Sequence, residues 1–213
     1  ACLNSVNIIH TINVDDNTAP VVAGTLTSTN VEGCDITAAP AAATTVAQLE
    51  AMAGGITITD ACTVDGSLTV SHADLSAGTC PIVVTRTYTV TDACLNSVNI
   101  IHTINVDDNT APVVVGTLTT TNVEGCNVAA APAAATTVAQ LEAMAGGIII
   151  TDACTVDGSL TVSHADVSGG TCPIIITRTY TVTDACLNSV NIIHTINVDD
   201  NTAPVVVGTL TTT

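Results

Sequence analysis

The chain has 213 residues, with 2 Lys+Arg against 19 Asp+Glu, for a formal net charge of −17. That balance excludes a nucleic-acid partner, which needs clustered cations to meet phosphate, and argues against an anionic membrane surface. Hydrophobic residues make up 47% but aromatic residues only 1%, with no Phe or Trp, so any core is built from Val, Ile, Leu and Ala. A sugar-stacking face is then not expected, because only Tyr88 and Tyr180 carry large rings. No apolar run is long enough to predict a transmembrane segment.

The chain repeats itself. Ala1-Cys2-Leu3-Asn4-Ser5 recurs at Ala93-Cys94-Leu95-Asn96-Ser97 and at Ala185-Cys186-Leu187-Asn188-Ser189, a period of 92 residues from Ala1 to Ala93 and from Ala93 to Ala185. A fixed period of this length is the signature of an array of like modules. Residues 1–16 read as the C-terminal part of a preceding repeat, 17–108 and 109–200 as full repeats, and 201–213 as the start of a following one. We expect a window of a longer polymer of modules.

In chain order, the first full repeat opens with short strand signals at Val21-Val22 and over residues 25–34. Pro40 and its neighbouring alanines form a loop that leads into a helix. Thr45-Val46-Ala47-Gln48 has the Thr-x-x-Gln form of a capping box. Val46, Leu49 and Ala53 follow at helical spacing and Gly54-Gly55 stops the run, which predicts about two turns. Residues 56–59 and 67–73 are shorter strands. Residues 81–92 alternate, with Ile82, Val84, Tyr88 and Val90 on one face and threonines on the other, the pattern of a half-buried strand. Residues 97–106 form a second such strand, with Val98, Ile100, Ile104 and Val106 facing inward. The short link Ala93-Cys94-Leu95-Asn96 makes the two a hairpin. Six or seven short strands and one small helix in each period predict an all-β fold. The expected architecture is a series of tandem immunoglobulin-like β-sandwich modules of about 92 residues. The joint Asn105-Val106-Asp107-Asp108-Asn109-Thr110-Ala111-Pro112 carries a proline that fixes φ and restricts Ala111, which predicts stiff linkers and a rod-like array.

Nine cysteines at repeated spacing, without any C-x-x-C knuckle, predict disulfides and an oxidising compartment rather than zinc. Four per module allow three connectivities. Thr59-Asp60-Ala61-Cys62 and Thr91-Asp92-Ala93-Cys94 are near copies, each a strand entering a loop. Placing them at one pole pairs Cys62 with Cys94 and leaves Cys34 with Cys80. The copies are Cys154 with Cys186 and Cys126 with Cys172, and Cys2 pairs with the preceding repeat.

Asp15, Asp16 and Asn17, with their copies Asp107, Asp108 and Asn109, and Asp199, Asp200 and Asn201, supply hard oxygen ligands at each joint and are candidate Ca²⁺ ligands. Asp60 and Asp92 flank nearby loops. The competing reading is that Asp, Asn and Pro favour turns; no EF-hand pattern is present. Arg86 and Arg178 are the only cations besides histidine and are expected in an ion pair, with Glu32 or Glu50 as partner for Arg86. His10, His72 and their copies have no ligand-type neighbours at metal spacing. No nucleophile elbow or phosphate loop occurs, and no enzyme activity is expected.

Thr89-Val90-Thr91-Asp92-Ala93-Cys94-Leu95-Asn96-Ser97 and Val106-Asp107-Asp108-Asn109-Thr110-Ala111-Pro112 resemble the hyalin-repeat-like modules of Bacteroidota surface proteins. In those modules a T-x-T-D-x-x-x-N-S turn precedes a strand and then D-N-T-A-P. The cysteine-bearing version is most similar to the repeats of very large gliding-motility adhesins. Leu95 stands where that family often has Gly, and Tyr88 where it often has Trp. The resemblance implies an immunoglobulin-like sandwich, secretion to the cell surface by the type IX route, and a place in long surface filaments that grip a substratum.

These observations lead to three expectations. The first is the structural shaft of an extracellular filament or adhesin, whose partners are further copies of the repeat, lateral filament contacts and a surface ligand outside this stretch. The second is a calcium-dependent ligand-binding module. The third is a self-assembling pilus-like polymer with strand exchange between subunits.

Overall fold

The computed structural model describes residues 2–208; residues 209–213 of the expected following repeat lie outside the described residues. The chain divides into two compact units, Ala1–Asp107 and Asp108–Thr213. Their boundary falls one residue before the expected 108/109 division.

The first unit contains β1 (Val21–Ala23), β2 (Thr29–Glu32), α1 (Val46–Glu50), β3 (Thr57–Thr59), β4 (Thr69–Ala77), β5 (Ile82–Thr91) and β6 (Ser97–Asp107). The second has the same order: β7 (Val113–Val115), β8 (Thr121–Glu124), α2 (Val138–Glu142), β9 (Ile149–Thr151), β10 (Thr161–Gly169), β11 (Ile174–Thr183) and β12 (Ser189–Asp199). Each unit is mostly β-strand, in a four-stranded and a two-stranded sheet. In the first, the strand order is β2-β6-β5-β4, facing the pair β1-β3. β5 and β6 form the expected antiparallel hairpin, with Tyr88 opposite Ile100, while β2 runs parallel to β6.

The alternation read in residues 81–92 is realised in β5, where Val84, Arg86, Tyr88 and Val90 are buried. In β6 the inward set is Ile100, His102, Ile104 and Val106. These side chains form two apolar clusters. The larger joins Tyr88, Val90 and Ile100 to Val46 and Leu49 of α1 and to Ile56, Ile58 and Leu68. The smaller is Val84, Ile104 and Val106. Burying each large aliphatic side chain contributes about 1.5–3 kcal/mol, which makes α1 the lid of the main core despite its length.

α1 is shorter than the two turns expected. Thr45 caps it, Oγ1 accepting from Gln48 N at 3.3 Å, and Gln48 Oε1 accepts from Thr44 N at 2.8 Å. The helix stops early because the chain must turn against residues 25–27, where Thr27 N donates to Ala53 O at 3.0 Å. Gly54 makes that approach possible. Its φ is +121°, and a Cβ there would sit 2.2 Å from Thr25 O. Of the strand expected over residues 25–34 only β2 forms; Asp35 instead caps a 3₁₀ turn at Ile36–Ala38, accepting from Thr37 N at 2.7 Å.

Residues 5–15 carry the same sequence as β6 but form no strand. Ile8 is 88% exposed where its copy Ile100 is 6% exposed. Strand propensity is realised only where neighbouring strands supply hydrogen bonds and a packed face. In the first unit those neighbours are already paired with β6.

Candidate functional site

Two groups of polar side chains lie off the ordinary core of each unit. The first is a charged belt between the two apolar clusters. Asp74 lies opposite Arg86 in the β4–β5 register, and Arg86 opposite His102 across β5–β6. Arg86 Nε and Nη2 donate to the two Asp74 carboxylate oxygens at 2.8 Å each, and Nη1 donates to Pro40 O at 2.7 Å. The expected partners Glu32 and Glu50 are therefore replaced by Asp74. Register decides this, and Glu50 Oε1 already accepts from Ile58 N at 2.8 Å. The fork holds the Asp74 carboxyl below the usual carboxylate range, chiefly through its hydrogen bonds from Arg86. His102 is buried and its Nε2 lies 2.9 Å from Thr29 Oγ1. Burial first, and the Arg86 charge second, push its imidazole below the ordinary 6.5. The second unit repeats the belt with Asp166, Arg178 and His194.

The second group sits at the poles. Asp60 Oδ1 accepts from Cys62 N and Thr63 N at 2.9 and 2.7 Å. Asp92 Oδ1 accepts from Cys94 N and Asn96 N at 2.8 and 2.9 Å. Asn96 Nδ2 ties this turn to the entering chain by donating to Asp16 O at 3.0 Å. The near-copy sequences Thr-Asp-Ala-Cys thus do share a pole. Within it, carboxylate oxygens of Asp16, Asp60 and Asp92 lie within 4.8 Å of one another. The second unit gathers Asp108, Asp152 and Asp184 in the same way.

Among the candidate calcium ligands, Asp16 and Asp108 are therefore in a carboxylate trio within their own unit, while Asp15 and Asn17 are not in the trio around Asp16. The loop residues Asp60, Asp92, Asp152 and Asp184, which the sequence places only as flanking loops, complete the trios. Asp199, Asp200 and Asn201 lie at the opposite pole of the second unit. There Cys172 Sγ donates to Asp199 Oδ1 at 3.1 Å, and Cys126 Sγ contacts Asp200 Oδ2 at 3.9 Å. Asn201 N donates to Glu124 Oε1 at 3.0 Å.

The cysteines differ from expectation. Cys34, Cys80, Cys154 and Cys186 are in disulfide form, whereas Cys2, Cys62, Cys94, Cys126 and Cys172 are exposed free thiols. The expected bridges Cys62–Cys94 and Cys126–Cys172 are not formed here; the expected bridge of Cys2 is to a preceding repeat. The thiols of Cys62, Cys126 and Cys172 engage carboxylates instead. The Asp16 charge, burial and the Asp60 charge, in that order, push the Cys62 thiol up; the hydrogen bond to Asp199 does the same for Cys172. Both stay protonated and weakly nucleophilic.

No family model and no curated protein matches the chain. Among solved structures it is similar in part to a protocadherin gammaB7 EC3-6 cis-dimer structure, at 14% identity and a TM-score of 0.31, over 87% of this chain and 52% of that one. It is also similar to the protocadherin gammaB4 extracellular domain, at 11% identity and a TM-score of 0.33, over 87% of this chain and 34% of that one. The chain spans about half and a third of the lengths of these two structures. No helix among the described residues is long and apolar enough to cross a membrane.

Proposed function

We propose that this chain is part of the structural shaft of an extracellular filament or adhesin, in which repeated β-sandwich modules hold a binding region away from the cell. The observation that carries this reading is how little the two units diverge. The Arg–Asp fork is 2.8 Å in both, and both poles keep the same carboxylate trio. Modules selected to bind different ligands diverge in their loops; modules selected for reach do not. Disulfide-form cysteines fit an oxidising, extracellular compartment. The resemblance to gliding-adhesin repeats makes surface adhesion and gliding motility the specific version of this role, with type IX secretion as its route. Denaturing mass analysis of the surface protein is the test. One very large chain is the expected result. A ladder of subunits near 21.3 kDa would contradict it and favour a strand-exchanged polymer.

A second reading is a calcium-dependent module, favoured by the two carboxylate trios. Three carboxylates so close repel one another unless a cation or protons intervene. Asp16 Oδ2 is buried without a hydrogen-bond partner among the described residues. Asp16, Asp60 and Asp92 would hold the ion in one unit, and Asp108, Asp152 and Asp184 in the other. Calorimetric titration with Ca²⁺ should give heat that is lost in Asp60→Asn/Asp152→Asn. No heat and an unchanged Tm would refute this reading.

A further inference from the structure

A cleft opens within the first unit, bounded by loop residues 40–43, one side of α1 and the strands β5 and β6. Its volume is about 430 Å³, inside the range of about 300–1,000 Å³ usual for small-molecule sites. At about 30 Å³ for a water-sized group, it has room for on the order of ten non-hydrogen atoms. Arg86, Tyr88 and His102 line it and are buried, while Ala42 and Met52 give it an apolar wall.

The polar groups of the cleft are mostly donors. Asp74 and Pro40 O take three of the five N–H groups of the Arg86 guanidinium, and Asp74 itself does not line the cleft. The Tyr88 hydroxyl accepts from Ala43 N at 3.1 Å, which leaves its own proton to donate. Gln48 Oε1 accepts from Thr44 N at 2.8 Å and from Thr44 Oγ1 at 3.1 Å, so its amide nitrogen is left to donate. His102 Nε2 lies 2.9 Å from Thr29 Oγ1, and its Nδ1 is buried with no hydrogen-bond partner among the described residues. When the Thr29 hydroxyl donates to Nε2, the neutral ring carries its proton on Nδ1 and is a further donor. No Asp or Glu lines the cleft, in a chain with 19 of them.

We propose that this cleft is a binding site for a small aliphatic monocarboxylate, its carboxylate on the donors of Arg86, Tyr88 and Gln48 and its chain against Ala42 and Met52. A carboxylate only accepts, and so matches a wall of donors that includes one cation. A phosphate or a dicarboxylate brings a second negative charge, which a single Arg86 already paired with Asp74 does not balance. An amine finds no carboxylate in the lining and would be desolvated without a partner. The apolar wall takes the chain because burying it removes hydrocarbon from water. The same residue types recur 92 positions on, as Gln140, Met144, Arg178, Tyr180 and His194, so the second unit takes the same ligand. The site goes beyond the shaft reading and does not depend on it.

The test is solution NMR of the full chain titrated with sodium hexanoate, read at the imidazole signals of His102 and His194. His10 is exposed, does not line the cleft and serves as reference. We expect saturable shifts of His102 and His194 with His10 unmoved, and binding of hexanol and hexylamine at least about tenfold weaker. No saturable shift, or hexanol binding as tightly as hexanoate, would overturn the proposal. Gln48→Glu/Gln140→Glu keeps the oxygen that accepts from Thr44 and Thr136 and keeps the capping box, but sets a negative charge where the amide donated. It should leave the melting temperature unchanged and weaken hexanoate binding at least about tenfold; unchanged affinity would overturn the proposal. Ala41→Leu/Ala133→Leu, at exposed positions, narrows the mouth of the cleft and should abolish the shifts even if the first variant fails to fold. Shifts that persist in it would place the ligand elsewhere and overturn the assignment.

Discussion

Asp74→Ala should destabilise the first unit more than Arg86→Met, although the two residues form one ion pair. The Arg86 side chain is 6% exposed and the Asp74 side chain 36% exposed. Removing Asp74 leaves a largely buried guanidinium, with Pro40 O as its remaining acceptor among the contacts described. An uncompensated buried charge of that kind costs about 3–5 kcal/mol. Removing Arg86 leaves a carboxylate that is already one-third in water. The methionine fills the vacated volume, so the loss is about 1–3 kcal/mol, mainly the unmade bond to Pro40 O and the lost fork. The double variant Arg86→Met/Asp74→Ala should then be more stable than Asp74→Ala alone. Urea unfolding of the four proteins gives the full cycle, with the fork of the second unit, Arg178–Asp166, as an internal control. Equal losses for the two single variants, or a double variant less stable than Asp74→Ala, would refute the argument that burial asymmetry sets the cost.

Acid should destabilise each unit in two stages. His102 and His194 are held below the ordinary 6.5 in the folded state, so the unfolded chain binds protons first and stability falls as pH drops below about 6.5. Asp74 and Asp166 are held below the ordinary 3.8; their contribution is complete above that value and is lost as pH falls through the lower folded value. Thermal melts across pH should show both stages, and His102→Gln/His194→Gln should abolish the first. Leu95 and Leu187 adopt φ of 72° and 73° and are exposed, so Leu95→Gly should leave stability unchanged or raise it by up to about 1 kcal/mol, measured by urea unfolding. Gly54→Ala should do the reverse and lower the melting temperature, because its Cβ would strike the backbone of residues 25–27. Tyr88→Phe removes the hydroxyl that accepts from Ala43 N at 3.1 Å, leaving a buried donor unmatched at about 1–3 kcal/mol; calorimetry of the variant checks this.

What was legible in the sequence was what depends on local pattern. The alternation of Ile82, Val84, Tyr88 and Val90 defined β5, and Thr45 with Gln48 marked the start of α1. The near-copies around Cys62 and Cys94 located a shared pole. What was not legible depends on register and on contacts far apart in sequence. The partner of Arg86 follows from which residue of β4 lies opposite it, and alternation alone does not fix that pairing. The Asp16–Asp60–Asp92 trio needs a linker and two loops to converge, and neither the Asp-Asp-Asn word of the linker nor the loop positions of Asp60 and Asp92 fixes that convergence. Residues 5–15 make the same point, since a sequence identical to β6 stays unpaired where no strands are available to receive it.

Electron cryo-microscopy of the native surface filament tests the central claim most directly. The shaft reading predicts beads about 40 Å apart, set by strands of some ten residues plus their loops, each bead one β-sandwich of the topology described here and continuous with the next along a single chain. Discrete subunits joined by strands exchanged between separate chains would contradict it, as would repeats dispersed over the cell surface with no filament.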